Sequence, residues 1–217
     1  RKYLIQKVSN KRVMLDVGGN IGIWSKPMSE HFDKVIAFEP APRNTEAFKM
    51  NVAGISNIEL IEKGLGEVEA KDVQFHDSIK NCGGIKLAEI STRTPGVTKA
   101  TDFKADITTI DSLNLMFCDL IKIDVEGYEL SVLKGAIKTI AKCKPWIITE
   151  KNDDFHLIEE YMSDFGFYTK LNGKLCVIFS PEEVDNPDVF APPPQNFAKE
   201  IKKHYNESQS LANLKTN

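Results

Sequence analysis

Short apolar runs alternate with stretches of helical spacing along most of this 217-residue chain. That alternation restricts the fold more than any other feature of the sequence. Val13, Met14, Leu15 and Val17 mark a first strand over 12–17, and further apolar runs follow at 34–38, 57–61, 120–123 and 146–149. Between and after them, 21–32, 42–52, 129–140 and 155–165 read as helices; Leu130, Leu133, Ile137 and Ile140 keep the helical period most clearly. Strands that are apolar throughout are those buried on both faces. Repetition of strand and helix therefore predicts an α/β, Rossmann-like, doubly wound and mostly parallel sheet. Near 170, the segments 167–171 and 175–179 flank Asn172-Gly173, a two-residue hairpin signal that puts an antiparallel C-terminal strand on that sheet.

The region 71–104 is less regular. Val73 and Phe75 alternate with polar residues as in an exposed strand, 81–84 reads as a turn, and 91–100 reads as a loop around Pro95-Gly96. Long loops in compact domains often serve function. From Pro181 onward, prolines and polar residues dominate. The chain thus divides into one domain over 1–180 and a Pro-rich, polar tail over 181–217, expected to wrap the domain or to be partly disordered.

Composition narrows the class of partner. The hydrophobic fraction is 41% and the charged fraction 27%, the balance of a soluble globular protein. A formal net charge of −3 gives no general attraction to a polyanion, so no nucleic-acid partner is expected. No apolar run approaches the roughly 20 residues that cross a bilayer, so no membrane span is expected. Cys82, Cys118, Cys143 and Cys176 are too widely spaced for a CxxC pair or a zinc set; they read as free thiols and point to a cytoplasmic setting. The chain opens at Arg1 rather than Met and soon reaches its first strand, which suggests removal of an upstream segment.

The sharpest motif is Leu15-Asp16-Val17-Gly18-Gly19-Asn20-Ile21-Gly22, at the junction of the first strand and the next helix. Glycines at a strand end let the backbone approach a ligand that a side chain would block, and Gly18 and Gly22 are the candidates. Glu39 ends the second strand 23 positions after Asp16 and is followed by Pro40. An acid at about that distance from a glycine loop accepts the ribose hydroxyls of a nucleoside. NAD is the main rival ligand, but its pyrophosphate would be repelled by Asp16, whereas a cationic amino acid group would be attracted. An adenosine joined to a methionine, as in S-adenosylmethionine (SAM), satisfies both halves.

A second constellation, Lys122-Ile-Asp124-Val-Glu126-Gly127-Tyr-Glu129, gathers a lysine and three acids at the end of a buried strand. Alternate strand residues share a face, so Lys122 and Asp124 point the same way. Ligands of open α/β sheets lie outside the carboxyl ends of the strands, which brings Asp124 and Glu126 beside the Asp16 loop. Glu129 reads as an acid opening the next helix, where the dipole favours it.

These segments resemble the FkbM family of SAM-dependent methyltransferases. The likeness rests on residues 15–22, on Val35-Ile-Ala-Phe-Glu-Pro40, on Thr109-Ile-Asp111-Ser-Leu113, and on residues 121–129 followed by Val132-Leu-Lys-Gly-Ala136. It covers about 13–150, with Gly19 standing where the family often has Ala. The resemblance implies the seven-stranded class I sheet and O-methylation of a hydroxyl on a sugar or small metabolite, so the partner is a small-molecule or glycan acceptor. On this reading the cofactor contacts are Asp16, Gly18, Gly19, Asn20, Gly22, Glu39 and Pro40, joined by Asn81 and Gly83 from a turn like one in the family. Asp124 or Glu126 takes the hydroxyl proton or orients the acceptor, and Lys122 tunes the carboxylate charge. Glu150 ends the next strand and could approach Asp124 to hold a metal, but it reads more simply as a strand-end acid, and no metal is expected. The alternatives are an NAD(P)-dependent oxidoreductase on a similar fold and a nucleotide-binding module without activity.

Overall fold

The computed structural model describes residues 1–78, 85–87, 100–152, 155–172 and 176–181. The turn expected at 81–84 with Asn81, Cys82 and Gly83, the loop expected at 91–100 except Ala100, Gly173 and the tail from 182 lie outside the described residues. In chain order the first elements are α1 (Lys2–Lys7), β1 (Val13–Val17), α2 (Ser25–Met28), β2 (Lys34–Phe38), α3 (Pro42–Asn51), β3 (Ile58–Ile61), β4 (Gly64–Leu65), β5 (Ala70–Ser78) and β6 (Ile85–Leu87). Then come β7 (Ala100–Thr108), β8 (Leu120–Ile123), α4 (Glu129–Lys134), α5 (Ile137–Cys143), β9 (Trp146–Glu150), α6 (Phe155–Asp164), β10 (Tyr168–Asn172) and β11 (Cys176–Ser180).

Seven strands form one sheet in the order β10-β11-β9-β8-β1-β2-β3. β1, β2, β3, β8 and β9 run parallel, and β11 is antiparallel to both of its neighbours. The order reverses at β1, with β2 on one side and β8 on the other, which makes the crevice at their carboxyl ends the topological switch point. Strand alternation divides the apolar side chains between two layers. Leu15, Val17, Ile121, Ile123 and Ile147 pack with Val132, Leu133, Ile140, Ile158 and Met162 from α4, α5 and α6. Met14, Leu120, Trp146 and Ile148 pack on the other face with Leu4 and Val8 of the N-terminal segment and Met28 and Phe32 around α2.

Three expectations need correction. Helix 21–32 shrinks to the single turn of α2, and Pro27, with no N–H for the Ile23 carbonyl, interrupts the helical bonding on its N-terminal side. Arg1 supplies the missing donor, its Nη1 lying 2.7 Å from that oxygen. Helix 129–140 is two helices that part at Gly135, where the Gly66 carbonyl oxygen of the neighbouring turn comes so close that a Cβ would overlap it. The chain turns there, and the Gly135 carbonyl accepts the Asp111 amide at 2.9 Å. Region 71–104 contributes to a second sheet, ordered β4-β7-β5-β6. Its core is Phe75 and Ile107, and the rings of Phe75 and Phe103 stack at 5.3 Å. Helix α1 was not foreseen. Among the described residues no helix is long and apolar enough to cross a membrane.

The break after α4 leaves the first amides of α5 to be capped from a distance. Asp111 accepts from the amides of Lys138 at 2.9 Å and Thr139 at 2.8 Å, and from Thr139 Oγ1 at 2.9 Å. It does the work of an N-cap side chain although it lies 27 residues upstream of Lys138. Asp111→Ala is therefore expected to lower unfolding free energy by about 1–2 kcal/mol, and Asp111→Asn by less, as read from denaturant titrations.

Candidate active site

A cavity of about 400 Å³ opens at the carboxyl ends of β1, β2, β8 and β9. Gly18, Gly19 and Asn20 line it from the first loop, Glu39 and Pro40 from the second, Lys122, Asp124 and Glu126 from the third, and Glu150 from the end of β9. Asp16 and Gly22 lie outside this lining. Sequence reasoning missed Ile23, Trp24, Lys63, Leu65, Phe75 and Tyr128, which complete the walls. Phe75 and Tyr128 come from the packing of the second sheet against the acid loop, a contact that no local sequence signal reports.

Gly18 has φ +75°, and a Cβ there would overlap the Asp124 carbonyl oxygen. The first and third loops can touch only because this position is glycine. Gly22, at φ +87°, instead faces Phe48 of α3 and Val52. The amides of Gly18 and Gly19 both donate to the Phe38 carbonyl at 2.9 Å, and that of Asn20 donates to Glu39 Oε2 at 2.8 Å. All three loop amides are thus committed to protein partners.

Asp16 and Lys122 are register partners across the parallel β1–β8 pair. Both are buried, at 0% and 4% exposure. Ser25 Oγ donates to Asp16 Oδ2 at 2.6 Å, and Lys122 Nζ stands 3.2 Å from Oδ1 in an ion pair. The same ammonium donates to the Gly18 carbonyl at 2.7 Å and lies 3.6 Å from Asp124 Oδ2. Asp16 thus meets the chain's own lysine beneath the cavity, where the sequence suggested a ligand's amino group. Lys122 and Asp124 share a face as their spacing required.

Glu39 is buried and accepts from the amides of Asn20 and, at 3.0 Å on Oε1, Ala41. Burial pushes its carboxyl above the ordinary glutamate range, while these amides, Asn44 and Lys122 pull it back. Each carboxylate oxygen offers two acceptor directions, so beside the two amides and Asn44 one direction is left for a ligand hydroxyl.

Beyond β8 the chain makes a turn with Glu126 at φ +54° and Gly127 at φ +100°. Asp124, Glu126 and Glu150 each place a carboxylate oxygen within 4.8 Å of the others. Such a set can take a proton, orient hydroxyls, or hold a hard cation with oxygen ligands. Glu150 is part of this wall, where its sequence position had suggested a plain strand end. His76 turns away from the cavity and pairs with Asp102 of β7, while Phe75 beside it points in.

A model of the methyltransferase FkbM domain matches residues 16–168. Among curated proteins, Methyltransferase 1 of Beauveria bassiana (strain ARSEF 2860) is 26% identical over 158 residues, covering 61% of this chain and 61% of that protein. Methyltransferase sdnD of Sordaria araneosa is 26% identical over 164 residues, covering 61% of this chain and 63% of that protein. The chain spans about three-fifths of the length of these relatives. Among solved structures, the methyltransferase FkbM from Methylobacillus flagellatus KT superposes with a TM-score of 0.56 at 20% identity, covering 78% of this chain and 43% of that one. That likeness is one of fold.

The Asp16–Lys122 pair sets a stability test. Lys122→Met leaves a buried carboxylate without its cation and is expected to cost about 3–5 kcal/mol in denaturant unfolding. Adding Asp16→Asn should recover roughly half of that loss or more, since the two positions act as one unit.

Proposed function

The chain belongs to the FkbM methyltransferase family, and on that premise we propose that it is a SAM-dependent O-methyltransferase acting on a hydroxyl of a sugar or small metabolite. The observation that carries this reading is the chemistry of the cavity rim. The amides of Gly18, Gly19 and Asn20 are spent on Phe38 and Glu39, so these three are not presented to a pyrophosphate. Carboxylates of Glu39, Asp124, Glu126 and Glu150 border the same space, which favours a ligand carrying positive charge. Both features count against a nicotinamide dinucleotide and suit an adenosine bearing a sulfonium and an ammonium.

The residues divide the work. Glu39 receives a ribose hydroxyl on the acceptor direction that Asn20, Ala41 and Asn44 leave open. Gly18 and Gly19 keep the loop thin beside the methionine portion, and Pro40 and Leu65 give apolar wall. When bound, SAM supplies an electrophilic methyl group. The chain's own task is to hold an acceptor oxygen in line with that methyl and to receive its proton. Positioning of this kind lowers barriers by roughly 7–11 kcal/mol in well-aligned cases. Asp124 or Glu126 is the proton acceptor or the group that orients the hydroxyl, and Lys122 stands 3.6 Å from Asp124 Oδ2.

Calorimetry with SAM, S-adenosylhomocysteine and NADH tests the cofactor. The two sulfur nucleosides should bind and NADH should not; the reverse result would remove the assignment. Hydroxyl donors favour the ionised form of Glu39 and draw its raised carboxyl value down, so binding releases a proton. Affinity for S-adenosylhomocysteine should therefore rise with pH through the free protein's Glu39 value and fall below it. Glu39→Gln should weaken binding about tenfold, or roughly 1.4 kcal/mol, and largely lose that pH dependence.

The acid wall is tested with a panel of labelled-methyl transfers to sugars and small polyols. Asp124→Asn and Glu126→Gln should each bind S-adenosylhomocysteine normally, and one of them should lose about 10²–10⁴-fold in turnover. Full turnover in both would show that neither carboxylate takes the proton.

A further inference from the structure

The acid wall is held by a residue that does not line the cavity. Glu129 is fully buried at the start of α4. Its Oε1 accepts from the Gly127 amide at 3.1 Å and the Val125 amide at 3.3 Å. Its Oε2 accepts from Asn152 Nδ2 at 2.6 Å. Val125 and Gly127 flank Glu126, and Asn152 follows Glu150 by two positions. One buried carboxylate therefore touches both segments that carry Asp124, Glu126 and Glu150.

Something must hold those segments together. Three carboxylates within 4.8 Å of one another repel when ionised. A non-glycine residue in the left-handed region costs of order 1–3 kcal/mol and persists only where its surroundings over-determine it. Glu126 is such a residue, at φ +54°, and the two amides on either side of it are those Glu129 receives. The Asn152 carbonyl in turn accepts the Phe155 amide at 3.1 Å, which anchors the same linkage to the start of α6. We propose that Glu129 is the positioning residue of the acid wall: it fixes the turn at Glu126 to the end of β9 and so sets the spacing of Asp124, Glu126 and Glu150. The inference rests on the proposed methyl-transfer reading for its meaning, because that spacing decides where an acceptor hydroxyl sits relative to the base.

Glu129→Gln removes the charge and places a donor where Oε1 or Oε2 accepted. The variant is compared with wild type by carboxyl-carbon NMR titration of Glu126 and Glu150 and by exchange of the Gly127 amide. Positioning predicts that at least one of the two titration midpoints moves by about half a pH unit or more and that Gly127 exchanges about tenfold faster. A residue that merely fills the core would alter melting temperature and leave the Glu150 midpoint of the charge-neutral Asn152→Ala variant unmoved. Unchanged titrations and exchange in a folded Glu129→Gln variant would overturn the proposal. Should that variant fail to fold, Asn152→Ala decides, since it removes a partner of Glu129 outside the turn: a shifted Glu150 midpoint supports positioning, and an unchanged one overturns it. S-adenosylhomocysteine binding is measured in parallel on wild type. Its absence would sink the cofactor reading while leaving the titration result to judge Glu129 independently.

Discussion

A buried ion pair between neighbouring strands, Asp16 on β1 and Lys122 on β8, ties the functional end of this molecule together. Charges leave water at large cost and are kept inside only when paired and hydrogen-bonded. Here the lysine also donates to the Gly18 carbonyl and stands beside Asp124, so one ammonium joins the first loop, the floor of the cavity and the first acid of the wall. The glycine at 18 makes this possible by letting the two loops meet backbone to backbone. The pair and the glycine are complementary: one supplies attraction between β1 and β8 at their ends, the other removes the side chain that would keep them apart.

The same logic of distant residues closing local gaps recurs elsewhere. Asp111 caps α5 across the chain, Arg1 takes the carbonyl that Pro27 cannot serve, and Glu129 gathers amides from a left-handed turn. Each replaces a hydrogen bond that regular secondary structure would otherwise have supplied. Asp111 and Gly135 lie in segments that carried the family likeness, and their contacts explain why those segments matter: they join the helical layer to the turn at Gly66 that leads from β4 to β5. Family resemblance in this chain therefore marks architecture as much as chemistry.

The parallel sheet was legible because its strands are apolar on both faces, which leaves a continuous signal in the sequence. The antiparallel end was legible from the turn signal near 172, although Asn172 itself closes β10 opposite Val177. The second sheet was not, because β5 and β7 pair across a long separation in sequence and show only half-buried alternation at Val73, Phe75, Phe103 and Ala105. Helix breaks at Pro27 and Gly135 were visible as residues but not as breaks, since a proline or glycine inside a periodic run is decided by what packs against it. In the site, the loop and the acids that line the cavity could be named from spacing, but the pairing of Asp16 with Lys122 needed the register, which spacing alone does not contain.

That register changes the electrostatic account of the cavity. An isolated Asp16 at the strand end would be a fixed negative point reaching toward any cationic ligand. Paired with Lys122 and Ser25, its charge is largely answered within the protein. The acids that face the cavity itself are Asp124, Glu126 and Glu150 along one wall and Glu39 at the second loop. Lys122 restrains this wall at Asp124 from one side, and Glu129 restrains it from the other at Asn152 and at the amides of Val125 and Gly127 that flank Glu126. A wall fixed at both ends keeps its carboxylates from relaxing apart as they ionise. Under the proposed methyl-transfer reading, this restraint from two buried side chains, Lys122 and Glu129, is what would hold a carboxylate beside an acceptor hydroxyl.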